Sequence, residues 1–199
     1  MVRLGVTGGI GSGKTYVCHL LNNKFGIPVY CCDIRAALLM RSDMEVVEQL
    51  KALVPHLYDS DGELDKRRLA AYMFCSPENL HRVNAIVHPT VRRDLREWQS
   101  VRSEEVVAVE SAILYESRFD AEVDQVIFVD APLDLRISRI RQRDGLSEQE
   151  ILRRIRHQQS ELAHGRADYV TINDGRHDLI PELTRVLKSF NYSLPTLNS

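Results

Sequence analysis

The residues best suited to chemistry stand at the start of the chain, in Gly8-Gly9-Ile10-Gly11-Ser12-Gly13-Lys14-Thr15. Their spacing, G-x-x-x-x-G-K-[ST], is that of a loop that cradles a polyphosphate. Glycines let backbone amides approach phosphate oxygens without side-chain obstruction, and a helix opening directly behind them turns its positive end to the same place. Gly8 and Gly9 shape the turn, while Gly11, Ser12, Gly13, Lys14, Thr15 and Tyr16 supply the holding amides. Lys14 has the reach and charge for the β- and γ-phosphates, and the Thr15 hydroxyl suits Mg²⁺. The expected ligand is therefore a nucleotide with its Mg²⁺, ATP in a kinase.

Such a loop does not choose between hydrolysis, phosphoryl transfer and switching. An acceptor-side group and a closing lid would choose. Asp33 is the acceptor-side candidate, because it follows the second apolar run, and ligands of open α/β sheets sit beyond the carboxyl ends of strands. It could take or orient a substrate hydroxyl proton, or serve only as a helix N-cap. Arg136, Arg139 and Arg143 recur at i, i+3 and i+7, on one helical face. They could close over a triphosphate, or form a solvated basic face partly neutralised by Asp144, Glu148 and Glu150. Glu110 and Asp130, at strand ends, suit either the Mg²⁺ water shell or a capping role. The Asn-Lys-x-Asp signature of a guanine-specific switch is absent; Asn23-Lys24-Phe25-Gly26 does not supply it. Kinases of other small acceptors share these features and stay open at this level.

The elements that must position these groups follow from periodicity. Val2 to Thr7 reads as a strand entering the loop, and Lys14 to Lys24 as a helix closed by Phe25-Gly26. Pro28 to Cys32 reads as a second strand, with Cys31 and Cys32 as small buried side chains. The alternation then lapses. Segments 35–53 and 65–75 are helical in pattern, Ser76-Pro77 signals a helix start, and His88-Pro89 is expected to break that helix before another begins. Strands return at Glu105–Val109, Gln125–Val129 and Tyr169–Ile172. Helices are expected over Leu133–Arg143, from Ser147 to about Gln159 behind a capping box, and over Leu179–Phe190. From Asn191 onward no period is seen. Five strands alternating with helices behind a phosphate loop predict an α/β fold. It is a P-loop NTPase core with a five-stranded parallel sheet over 1–34 and 104–199, a helical insertion over 35–103 and a helical lid over 134–165.

Composition bounds the partners. The chain has 199 residues, 44% hydrophobic and 27% charged, with a formal net charge of −2. That balance favours a small-molecule substrate, with no nucleic acid and no membrane partner, and it leaves the oligomeric state open. Cys18, Cys31, Cys32 and Cys75 include no C-x-x-C pair, which argues against a zinc or redox motif. A strand beginning at Val2 leaves no room there for a leader, so a reducing, cytoplasmic setting is expected.

Taken together, the chain resembles the dephospho-coenzyme A kinases. The resemblance is carried by Thr7 to Thr15, Asp33, Leu64-Asp65-Lys66-Arg67-Arg68-Leu69-Ala70 with Phe74, and Asn84-Ala85-Ile86-Val87-His88-Pro89. It continues through Leu114-Tyr115-Glu116-Ser117, Val123-Asp124-Gln125-Val126 and Arg143-Asp144-Gly145-Leu146-Ser147. It implies ATP-dependent phosphorylation of the ribose 3′-hydroxyl of dephospho-coenzyme A. It also implies Asp33 as base, 35–100 as the acceptor-binding domain, and a lid around Arg139 and Arg143. His88, isolated by spacing and by default a packing residue, becomes a candidate for acceptor binding. The chain departs from the family pattern in keeping one aspartate at Cys31-Cys32-Asp33 and in reading Glu110-Ser111-Ala112-Ile113-Leu114 after strand three. It also has Arg136 where a glutamine is common, and Tyr16 where a small hydroxyl residue is usual.

Overall fold

The computed structural model describes residues 1–158 and 160–192. The chain divides into two compact units, Met1–Tyr30 with Ser103–Ser199, and Cys31–Arg102.

The first unit is built on a five-stranded sheet of order β2-β3-β1-β4-β5. Its strands are β1 (Val2–Gly8), β2 (Val29–Cys31), β3 (Val106–Glu110), β4 (Gln125–Asp130) and β5 (Tyr169–Ile172). β1 runs parallel to β3 and to β4, and β4 parallel to β5, so the first strand sits at the centre. Helix α1 (Lys14–Phe25) follows the phosphate loop and ends at Gly26 in the left-handed region, as the Phe25-Gly26 signal predicted. Its Val17, Cys18, Leu21 and Phe25 pack with Leu4, Val6 and Ile127 of the sheet. Helix α9 (Ile180–Lys188) brings Leu183, Val186 and Leu187 into the same core. β3 is buried on both faces from Val106 to Val109, which explains its unbroken apolar run.

Between β4 and β5 lie α6 (Leu133–Asp144), closed by left-handed Gly145, then α7 (Glu148–His157) and α8 (Ser160–Arg166). The capping box of Ser147 and Glu150 is present, with both reciprocal bonds made. Helix α7 ends at His157, and the expected terminus near Gln159 lies outside the described residues. Helix α8 has no counterpart in the sequence reading.

The second unit contains α2 (Cys32–Ser42), α3 (Met44–Leu53), α4 (Lys66–Cys75) and α5 (Pro77–Ser100). Three expectations are corrected here. Strand two stops at Cys31, and Cys32 already belongs to a helix. The 35–53 segment is two helices, because Asp43 leaves helical geometry and accepts the Val46 N–H as N-cap of α3. Pro89 does not break its helix: α5 runs through it for 24 residues. The buried stripe Val83, Val87, Val91 and Leu95 keeps its four-residue spacing across the proline, and that packing outweighs the one ladder bond a proline removes. Arg35 on α2 grips Asp94 on α5 through two guanidinium nitrogens. Among the described residues no helix is long and apolar enough to cross a membrane.

If α9 anchors the core as its burial indicates, Leu183→Ala lowers unfolding free energy by about 2–5 kcal/mol. Urea denaturation followed by circular dichroism measures it.

Candidate functional site

The loop after β1 is shaped first by its own backbone. Gly13, the N-cap of α1, has φ +94, and a Cβ there would fall 2.0 Å from the Asn173 amide nitrogen. At Gly9 a Cβ would fall 2.4 Å from Arg136 Nη2. The glycines are thus required as much by what packs against the loop as by its turns. The first turn of α1 carries no acidic residue of its own and its N-cap no side-chain cap, so neither offsets the positive helix end.

Lys14 and side chains from two distant segments hold the loop's carbonyls. Lys14 Nζ donates to Gly8 O at 3.0 Å and to Gly9 O at 3.4 Å. Arg136 Nε donates to Ile10 O at 2.9 Å. Arg139 Nη1 donates to Ser12 O at 3.1 Å and Gly11 O at 3.4 Å, and its Nη2 to Asn173 Oδ1 at 3.2 Å. Asn173 Nδ2 also donates to Ser12 O, at 3.0 Å. A peptide unit is planar and trans, so its carbonyl and the next N–H point opposite ways. Fixing the Ile10 and Ser12 carbonyls therefore aims the Gly11 and Gly13 amides to the other side, where an anion can collect them.

The Thr15 hydroxyl donates to Glu110 Oε1 at 3.3 Å, joining the start of α1 to the end of β3. A hydroxyl and a carboxylate are hard oxygen donors, a set that suits hydrated Mg²⁺. No cluster of three or more His, Cys, Asp or Glu that could hold a metal exists among the described residues. Asp130 turns its carboxylate to the Ala131 N–H. Burial pushes the Arg136 guanidinium below its ordinary value, and the charge of Asp130 opposes that shift.

The remaining candidates are placed as follows. Ser12 is fully buried, and its hydroxyl lacks a hydrogen-bond partner among the described residues. Tyr16 is 53% exposed, leaving its backbone as its contribution to the loop. Arg143 does not reach the loop; it forms a two-toothed pair with Asp144 at 2.7 and 2.9 Å. Asp33 and His88 belong to the second unit. Asp33 sits exposed in the first turn of α2, whose N-cap is Cys31, so it is not the cap. His88 lies inside α5, half-buried, and burial, with Arg92 adding to it, lowers its imidazole below the ordinary 6.5.

Two loop partners escaped the sequence reading. Asn173 directly follows the carboxyl end of β5, where ligands of such sheets gather, and that position is the signal that could have found it. Gln158, just after α7, accepts the Ile10 N–H at 2.7 Å, and nothing local in the sequence marks it.

Residues 2–178 match the family model for dephospho-CoA kinase. The chain belongs to the dephospho-CoA kinase family. Members of the family phosphorylate dephospho-CoA to make CoA, the last step of CoA biosynthesis. The chain is 42% identical to the dephospho-CoA kinase of Bacteroides fragilis strain YCH46 over 94% of its own length and 91% of the relative's. Identity to the enzyme of Porphyromonas gingivalis strain W83 is 39%, over 98% and 97%. The solved structure of TT1252 from Thermus thermophilus superposes with a TM-score of 0.80 at 37% identity, covering 94% of this chain and 95% of that one. The α/β fold with an all-parallel sheet, the kinase class and the family resemblance read from the sequence are all borne out.

The lowered His88 value gives a pH dependence. The unfolded chain binds that proton more readily, so the contribution of neutral His88 is complete above about pH 6.5 and is lost as pH falls through the folded value. His88→Gln should flatten the fall of unfolding free energy below about pH 6.5, measured by urea titrations at stepped pH.

Proposed function

We propose that this enzyme transfers the γ-phosphoryl group of ATP to the ribose 3′-hydroxyl of dephospho-coenzyme A. The observation that carries the donor side is the phosphate loop whose carbonyls are tied back by Arg136, Arg139 and Asn173. Family membership supplies the acceptor. The amides of Gly11, Gly13, Lys14, Thr15 and Tyr16 bind the polyphosphate, with the Ser12 backbone completing the turn. Lys14 exchanges its bonds to the Gly8 and Gly9 carbonyls for phosphate oxygens, neutralising charge that shifts to the leaving group. Thr15 and Glu110 are the residues that would hold Mg²⁺. When bound, that ion would offset negative charge on the phosphate being transferred.

Asp33 is the acceptor-side residue in this reading. It orients the ribose hydroxyl and takes its proton, acting from an exposed position in the first turn of α2. Positioning matters more than base strength when the transition state is loose. The helical insertion, 35–103, binds the acceptor. It contains a cavity of about 310 Å³ lined by Lys66 and, for the rest, by apolar side chains that include Met40, Leu64, Leu69, Met73 and Phe74, a setting suited to an aliphatic arm. His88 serves acceptor binding as a neutral group. Residues 134–165 form the lid. Arg139 acts from its present place beside Ser12, while Arg143 must exchange its pair with Asp144 to take part.

Two variants test the roles. Asp33→Asn should lower kcat with dephospho-coenzyme A by roughly 10²–10⁴, followed as ADP release; near-normal turnover would reduce Asp33 to a bystander. Lys14→Ala should abolish turnover in the same assay. Turnover by the unaltered enzyme with adenosine or a nucleoside monophosphate, but not with dephospho-coenzyme A, would overturn the acceptor assignment.

A further inference from the structure

Three polar groups of the first unit converge on one side chain that the mechanism above does not use. Gln158, the C-cap of α7, accepts the Ile10 N–H through Oε1 at 2.7 Å. Its Nε2 donates to Ala112 O at 3.0 Å and to Gly8 O at 3.3 Å. A carboxamide offers one carbonyl and two N–H bonds, and here all three are engaged. The reverse orientation would set the amide nitrogen against the Ile10 N–H, so the partners fix which atom is which. No other side chain of this length makes the same set: an ionised glutamate only accepts, and a lysine only donates.

What Gln158 joins is as informative as how. Gly8 and Ile10 bracket the first turn of the phosphate loop. Ala112 follows Glu110 by two residues, and Glu110 receives the Thr15 hydroxyl. The carboxamide therefore ties the loop's entrance to the segment that carries the Mg²⁺-side carboxylate. Arg136 grips the same turn through the Ile10 carbonyl, so Ile10 is held by both its N–H and its C=O. The Gly8 carbonyl is shared between Gln158 and Lys14, and it keeps a donor when Lys14 turns to phosphate.

We propose that Gln158 is a positioning residue for phosphoryl donor binding, fixing the Gly8–Ile10 turn so that the loop's amides are set before the nucleotide arrives. Ordering a glycine-rich turn costs conformational entropy, and a loop held in its binding shape does not bear that cost on binding. Because Gln158 closes α7, the same bonds make the loop's affinity depend on the placement of the lid segment.

This assignment rests on reading the Gly8–Thr15 loop as the donor site, and the test separates the two. Calorimetric titration of the full chain with ADP checks the reading; failure of the unaltered protein to bind would remove it. Gln158→Leu and Gln158→Glu are then compared for ADP affinity, KM of MgATP, KM of dephospho-coenzyme A, and Tm. The leucine keeps bulk and loses all three bonds; the glutamate keeps an acceptor but cannot donate to the two carbonyls. Both should bind ADP about tenfold more weakly and raise KM for MgATP by a similar factor, with KM for dephospho-coenzyme A within about twofold. Unchanged ADP affinity, with or without a fall in Tm, would make Gln158 a structural tie only. Tighter binding would show that its side chain stands where phosphate belongs. Either result overturns the proposal.

Discussion

The constraint on which the donor side depends is the outward anchoring of the phosphate loop's carbonyls. A backbone turn of this kind has no side chains with which to bind an anion, only the direction of its N–H bonds. That direction is set peptide by peptide, because each N–H opposes the carbonyl before it. Arg136 at Ile10, Arg139 and Asn173 at Ser12, and Lys14 at Gly8 decide the directions from outside the turn. Arg136, Arg139 and Asn173 come from α6 and the end of β5, far along the chain. The binding site is therefore the property of the whole first unit, although its motif occupies eight residues.

Sheet topology makes that convergence possible. With β3 on one side of β1 and β4 on the other, the loop after β1 lies where chain connections part in opposite directions. The carboxyl ends of β3, β4 and β5 all open toward that place, delivering Glu110, Asp130 and Asn173 without long loops. Parallel pairing is what aligns these ends; an antiparallel neighbour would have presented its amino end instead.

Local signals were legible and distant ones were not. The Ser147 and Glu150 capping box and Gly26 as a helix stop each act within a few residues, and each was found where the sequence placed it. Pro89 misled because its cost is local while the stripe that carries α5 through it is tertiary. Arg143 shows a subtler limit. Spacing at i and i+7 does put it on the face of Arg136, but seven residues also advance about 10 Å along the axis. Arg136 and Arg139 reach the loop, and Arg143 ends beside Asp144. Periodicity reports the face of a helix and is silent about reach. Gln158 had no signal at all, since its three partners lie 46 to 150 residues away.

Arg136 shows how the loop's electrostatics are balanced. A guanidinium that is 9% exposed bears a desolvation cost, which lowers its proton affinity, and Asp130 offsets part of it. Its Nε has a carbonyl partner, while its Nη2 has no hydrogen-bond partner among the described residues. Burying a cation so incompletely neutralised is unfavourable for stability alone. Against a polyphosphate the sign reverses. Lys14, Arg136 and Arg139 all touch the loop, and the Glu110 carboxylate meets it through Thr15. Three cationic side chains thus stand at the loop in a region of reduced dielectric, where attraction for an anion is stronger than in water. In the proposed reading, a phosphate bound at the loop would offset part of the desolvation cost that Arg136 bears.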